Sequence, residues 1–212
     1  KGCLLHSPDT YMNKIAIGKG YSNDVIDLDA SVQDNIKSLA DAKKVNPNDI
    51  SACVLERDRH SEIIESLRAI GSKVILIPDG DVAGVMMTSQ EEVDVDIYFG
   101  TGGAPEGVLA AAALQCIGGQ MQTRLVIRND DEKKRAEKAG IKDLDKKYEL
   151  NEIIKGEIFQ AVLSQRFSAP YYIDPFDFYR ALRSVNPSPY LVFLNLNKYQ
   201  IICSSPETMI NV

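Results

Sequence analysis

The stretch Asp96-Ile97-Tyr98-Phe99-Gly100-Thr101-Gly102-Gly103-Ala104-Pro105-Glu106-Gly107-Val108 constrains the fold more than any other part of the chain. Residues 93–99 read as a short buried strand. Glycines 100, 102 and 103 then read as a turn that permits positive φ and close approach of a ligand, and Pro105 suits the first position of a helix. Residues 108–117 supply an alanine-rich helix that needs burial. Its unpaired N–H groups would attract an anion such as phosphate, and Glu106 in the first turn could hold a divalent cation bridging to it. The same residues also suit a plain tight turn in which Glu106 only complements the helix dipole. The spacing is neither G-x-G-x-x-G nor a Walker A loop, so nucleotide binding is not favoured.

Upstream, Tyr11 lies in Ser7-Pro8-Asp9-Thr10-Tyr11-Met12, which reads as a loop leading to a short apolar piece at 15–17. Ser31 caps a helix that runs to Lys43 and Lys44, ahead of Asn46-Pro47. From Asp49 onward, strands at 51–55, 73–77, 93–99 and 123–127 alternate with helices at 60–70, 82–87 and 108–117. That alternation predicts a sheet with parallel pairs and right-handed crossovers, with functional groups at the strands' carboxyl ends. Arg57, Arg59 and His60 follow the first of these strands, Asp79-Gly80-Asp81 the second, and the glycine turn with Glu106 the third. Arginines and backbone N–H groups bind phosphate, while carboxylates hold magnesium or manganese and orient sugar hydroxyls. Each cluster alone also has a plain reading, as a solvated helix start or a simple turn.

Composition narrows the partners. A net charge of -6 disfavours nucleic acid or an anionic membrane as the main partner. The longest apolar run, 108–117, is about half of what a bilayer-spanning helix needs. No secretory signal is visible, so the sequence predicts a cytoplasmic protein with no membrane partner. Cys3, Cys53, Cys116 and Cys203 form no C-x-x-C pair and read as reduced core thiols. The first residue is Lys1, so the chain reads as a piece of something longer.

Pro78-Asp79-Gly80-Asp81-Val82-Ala83, Gly102 to Val108 with its alanine-rich continuation, Arg59-His60, and Asp9-Thr10-Tyr11-Met12-Asn13-Lys14-Ile15 together resemble class II fructose-1,6-bisphosphatases over residues 1–155. The resemblance implies an α/β fold, a mixed sheet with flanking helices of the sugar-phosphatase, inositol monophosphatase-like type. It implies hydrolysis of the 1-phosphate of fructose 1,6-bisphosphate in gluconeogenesis and glycerol metabolism, with Mg2+ or Mn2+ as cofactor. Tyr11, Arg59, His60, Ser61, Asp79, Gly80, Asp81 and Gly103 would then contact the sugar bisphosphate, and Glu106 would be a metal ligand. Ser61 departs from the acidic residue often found after Arg-His in the family. The resemblance also places most metal-binding carboxylates and a Glu-Gly-Thr loop ahead of Lys1. The catalytic residues are therefore expected upstream, and the chain alone is expected to be inactive or nearly so. A non-catalytic sugar-phosphate binding module is the alternative, and a homo-oligomer fits either reading.

Residues 156–212 resemble a different family, anthranilate synthase component I, a chorismate-using enzyme of tryptophan synthesis. The residues that carry this are the segment 156–167, Pro175 to Arg183, Asn186-Pro187-Ser188-Pro189-Tyr190, and Ser204-Ser205-Pro206-Glu207. The resemblance implies a small α+β segment of two helices and a hairpin, 190–196 with 199–204. Pro189, Tyr190 and Leu191 match a tryptophan-binding segment, although Tyr190 and Phe193 also read as core residues of the hairpin. The sequence thus reads as a chimera of two domains, 1–155 and 156–212. We read the junction near 154–157 as an artificial join, with 148–165 as one continuous helix across it. On this reading neither fragment has a complete core, and exposed apolar surface should favour aggregation.

Overall fold

Along residues 11–17, odd and even side chains enter different cores: Ile15 and Ile17 pack on one face, Ala16 and Met12 on the other. A strand buried on both faces belongs at the centre of a sheet. The computed structural model describes residues 3–5, 7–155, 170, 172–188, 190–196 and 199–205. The chain divides into two compact units, Lys1–Leu163 and Ser164–Val212.

In the first unit the strands are β1 (Cys3–Leu4), β2 (Tyr11–Ile17), β3 (Ser51–Leu55), β4 (Lys73–Ile77), β5 (Ile97–Gly103), β6 (Gln120–Val126), β7 (Tyr148–Glu149) and β8 (Ile154–Lys155). Six of them form a mixed sheet in the order β4-β3-β5-β2-β6-β7, while β1 and β8 form a separate antiparallel pair. β3 runs parallel to β4 and β5, whereas β2 is antiparallel to β5 and β6. Consequently the start of β2 lies at the same edge as the carboxyl ends of β3, β4 and β5, with Tyr11 opposite Gly103.

Helices cover both faces. On one, α1 (Val32–Lys43) and α2 (Ser61–Ala69) set Ile36, Leu39 and Leu67 against Ile15, Val54 and Phe99. On the other, α3 (Asp81–Met87), α4 (Ala104–Ile117) and the short α6 (Leu150–Ile153) set Val85, Leu114 and Ile153 against Ala16, Cys53 and Tyr98. Each fully buried leucine or isoleucine here contributes roughly 1.5–3 kcal/mol. Ser31 caps α1 by accepting from the Asp34 N–H at 3.1 Å, and α1 ends at Lys44, which takes a left-handed φ of 59°. α5 (Asp130–Lys138) follows β6. No helix among the described residues is long and apolar enough to cross a membrane.

The second unit contains α7 (Pro175–Val185) and the antiparallel hairpin β9 (Tyr190–Asn195) with β10 (Gln200–Ser205), as its sequence predicts. Asp174 caps α7 by accepting from the Phe176 and Asp177 N–H groups. The rings of Phe176, Tyr179 and Phe193 cluster with centroids 5.4–5.9 Å apart. Phe193 is half-buried. The first of the two helices expected over 156–212, the segment 156–167, Pro189 and the side chain of Tyr190 lie outside the described residues.

Four expectations are corrected. Tyr11 opens a seven-residue central strand and is not in a loop, because the polar-looking approach hides a segment buried alternately on two faces. The third strand runs from Ile97 to Gly103, so Gly100, Gly102 and Gly103 belong to the strand, and none has positive φ. Their lack of a side chain gives room: a Cβ on Gly100 would stand 2.3 Å from the Tyr98 hydroxyl oxygen, and one on Gly102 would stand 2.6 Å from Asp81 Oδ2. The continuous helix is broken within its described part, since Tyr148 and Glu149 pair with Thr123 and Gln122 at the sheet edge and Ile154 pairs with Leu4. Finally, Cys53 is buried, but Cys116, near the carboxyl end of α4, is exposed and is no core thiol.

Candidate functional site

The parallel direction of β3, β4 and β5 brings their carboxyl ends together, and the local turns then aim polar groups outward from that edge. After β3, a single turn at Asp58–His60 leads into α2. Arg57 and Arg59 are exposed there, while His60 is wholly buried. Arg59 Nε donates to the Thr101 carbonyl on β5 at 2.8 Å. His60 Nδ1 donates to the Leu55 carbonyl at 2.8 Å, and its Nε2 accepts from the Thr101 N–H at 2.9 Å. Both ring nitrogens are therefore engaged, and His60 ties β3 to β5. Burial holds its pKa below the usual value of 6.5, so it stays neutral. Ser61 opens α2 with its hydroxyl donating to the Asp58 carbonyl at 2.8 Å.

After β4, Gly80 takes φ 96°, which a side chain would oppose, and this sets Asp79 and Asp81 in different surroundings. Asp79 is exposed; it accepts from the Gly80 N–H at 2.9 Å and lies 3.8 Å from the Arg57 guanidinium. Asp81 opens α3 and points inward. Its carboxylate accepts from Lys14 Nζ and from the Tyr98 hydroxyl, both buried beneath α4. Lys14 lies opposite Gly100 in the sheet. A Cβ on Gly107 would stand 2.7 Å from Lys14 Cε, so bare Gly102 and Gly107 make the channel for this buried pair. Burial lowers the Lys14 pKa, and the Asp81 carboxylate opposes that shift. Burial raises the Tyr98 pKa, so its phenol remains a donor to Asp81.

After β5, α4 begins at Ala104 with Pro105 in its first turn. Glu106 is exposed and curls toward Gly103, where a Cβ would meet its Oε2 at 3.1 Å. Tyr11 completes the edge, with the Arg59 and Arg128 guanidinium carbons 5.2 Å and 4.0 Å from its ring centroid. The structure thus groups Tyr11, Arg59, Asp79, Gly80, Gly103 and Glu106 at one edge, with His60 and Asp81 buried directly behind it. Leu191 belongs to the second unit, half-buried in its hairpin opposite Ser204.

Among the described residues, no three His, Cys, Asp or Glu side chains gather so as to hold a metal ion. Glu106 is a single carboxylate, and one carboxylate does not make a magnesium or manganese site. These residues alone do not fit the metal that the resemblance implies. Sequence reasoning missed Lys14, Tyr98, Arg128 and Glu132. Arg128 and Glu132 stand four apart across a helix start, which is a visible signal, whereas Lys14, next to Asn13 in its strand, carries none without the sheet register.

Helices on both faces of a mixed sheet, with arginines and carboxylates collected at the carboxyl edge of its parallel strands, define an α/β protein of the edge-site class. Residues 1–163 match the family model of bacterial fructose-1,6-bisphosphatase, glpX-encoded, and the chain belongs to that family. The class 2 fructose-1,6-bisphosphatase of Haemophilus influenzae is 40% identical over 130 residues, 61% of this chain and 39% of the relative. Fructose-1,6-bisphosphatase 1 class 2 of Escherichia coli K12 is 38% identical over 130 residues, 61% of this chain and 38% of the relative. The chain therefore spans about two fifths of the length of these curated relatives. Residues 146–212 match a second family model, chorismate binding enzyme, which overlaps the first over 146–163.

Proposed function

We propose that the first unit is the sugar-phosphate side of a fructose-1,6-bisphosphatase, a metal-dependent enzyme releasing the 1-phosphate to leave fructose 6-phosphate. The observation that carries this reading is the arrival of Tyr11, Arg59, Asp79 and Glu106 at one sheet edge from four separate segments. In this reading Arg59 and the Tyr11 hydroxyl hold phosphate oxygens, as a charge-assisted pair does well. Asp79 accepts from sugar hydroxyls, and the half-buried backbone at Gly80 and Gly103, bare of side chains, admits the ligand closely. Ser61 lies beside them at the start of α2. His60 and Asp81 act from behind, the first fixing Thr101 and through it Arg59, the second anchoring α3. Glu106 would supply one ligand to Mg2+ or Mn2+, and the metal's other ligands are not among the described residues.

Calorimetric titration of the purified chain with fructose 1,6-bisphosphate tests this. Uptake of the bisphosphate that Arg59→Ala reduces at least tenfold is expected, a loss of about 1.4 kcal/mol. Phosphate release with Mg2+ or Mn2+ is expected to be absent or nearly so; sustained metal-dependent turnover would show that this chain carries the whole catalytic set. Failure to bind the bisphosphate would overturn the reading. For the second unit, the match of residues 146–212 to a chorismate binding enzyme favours a fragment of an anthranilate synthase component I, with Pro189, Tyr190 and Leu191 in a tryptophan-binding segment.

A further inference from the structure

One charged pair outside the motifs reaches the same edge. Arg128 lies two residues beyond the end of β6, and Glu132 lies in the first turn of α5. Glu132 is only 1% exposed. Its carboxylate accepts from the Arg128 main-chain N–H at 2.8 Å, from Arg128 Nε at 2.9 Å and from a terminal guanidinium nitrogen of the same residue. Asn129 caps the helix by accepting from the Glu132 N–H at 2.9 Å, so the carboxylate's own backbone is fixed. A guanidinium gripped at two nitrogens has little freedom. This one lies 4.0 Å from the Tyr11 ring centroid.

Tyr11 needs such a restraint. Its backbone is set by β5 and β6, where it pairs with Gly103 and Val126, but its ring is half-buried at the first position of the strand. The Thr10 hydroxyl donates to the Val126 carbonyl at 2.8 Å and fastens the same corner from the neighbouring residue. Arg59 approaches the ring at 5.2 Å. The two cations differ: Glu132 neutralises Arg128, whereas Arg59 is exposed and is held at Nε by a main-chain carbonyl, not by a carboxylate.

We propose that Arg128 is a positioning residue, which Glu132 locks flat against the Tyr11 ring so that the phenol and Arg59 together meet a phosphate group of the ligand. The role rests on the sugar-bisphosphate reading above, and it assigns α5 to the binding edge.

The test uses the full chain and two measurements. Titrated with fructose 1,6-bisphosphate, Arg128→Ala should bind about fivefold to tenfold more weakly, the worth of one lost cation–π contact together with ring order. Arg128→Lys should recover less than half of that loss, since an ammonium lacks the flat guanidinium face. Glu132→Gln should weaken binding similarly, and the double variant should be no worse than Arg128→Ala, because the two residues act as one unit. Bisphosphate affinity unchanged in Arg128→Ala but lost in Arg59→Ala would confine Arg128 to its ion pair with Glu132 at the start of α5 and overturn the proposal. The second measurement needs no ligand: nuclear Overhauser contacts between the Tyr11 ring and the Arg128 side chain should be present in the chain and disappear in Glu132→Gln. Their persistence in that variant overturns the positioning role. A chain that shows the contacts but takes up no bisphosphate would instead sink the functional reading on which the role depends.

Discussion

The two units of the chain bury their apolar residues very differently. In the first, helices close both faces of a six-stranded sheet, and side chains such as Ile17, Leu39, Val54 and Leu114 are completely enclosed. In the second, no described hydrophobic side chain is buried, and Ile173, Phe176, Val185 and Tyr199 are all more than half exposed. Both have regular elements with proper caps and register. Hydrogen-bonded local structure is therefore satisfied in each, while enclosure of apolar area, the main favourable term in folding, belongs to the first. Against the expectation that neither half has a complete core, the first unit does enclose an apolar core, whereas the described residues of the second enclose none. The exposed rings of α7 and its hairpin are the kind of surface that promotes association.

The largest effect that would sharpen this contrast is expected at Lys14. Replacing it with methionine leaves Asp81 buried with half of its partners, and breaking a buried ion pair in this way costs about 3–5 kcal/mol. Hydrogen exchange monitored along β2 should report nearly all of that loss, while amides of β9 and β10, paired in a hairpin with no described buried hydrophobic side chain, should exchange rapidly in both proteins. Equal protection of β2 and β9 in the unaltered chain would break the comparison.

A smaller effect separates two neighbouring glycines. Gly102→Ala drives a methyl group into Asp81 Oδ2, which Lys14 and Tyr98 hold in place, so overpacking should cost roughly 1–3 kcal/mol. Gly103→Ala meets only the end of the Glu106 side chain, at 3.1 Å, and that exposed group can swing aside. Its denaturation midpoint should stay close to that of the unaltered chain while bisphosphate uptake falls. A stability loss as large as that of Gly102→Ala would show Glu106 to be fixed.

These glycines also mark what the sequence could convey. The strand and helix alternation from residue 49 onward, the cap at Ser31, α7 and the hairpin are all legible, because periodicity and cap chemistry are local. The carboxyl-edge grouping is legible too, as it follows from parallel strand direction alone. What stays hidden is pairing across the sheet: Tyr11 lies at the edge only because β2 runs antiparallel between β5 and β6, and Lys14 finds Asp81 only through that register. The three glycines of the central stretch read equally well as a turn, since spacing does not distinguish freedom of φ from lack of room. The break at Tyr148 is hidden for a similar reason, because a two-residue edge strand has no period to detect.

The mildest effect is acid sensitivity, and it too belongs to one unit. Both histidines of the chain, His6 and His60, precede residue 164, so loss of stability through imidazole protonation is a property of the first unit. Burial lowers the His60 pKa below 6.5, which means that the unfolded chain takes up a proton before the folded one does. Stability from this group is thus complete above the unfolded value and declines as pH falls below about 6.5, by at most ~1.4 kcal/mol per pH unit. Protonation would place a second N–H against the Thr101 N–H, so the tie between β3 and β5 opens where Arg59 is anchored. A pH series of urea denaturations, read alongside the His60 ring resonances, should therefore show the midpoint declining below 6.5 while the ring remains neutral in the folded chain. A His60 ring that titrates at or above 6.5 in the folded protein would mean that the tie is open in solution and that Arg59 is held by Thr101 alone.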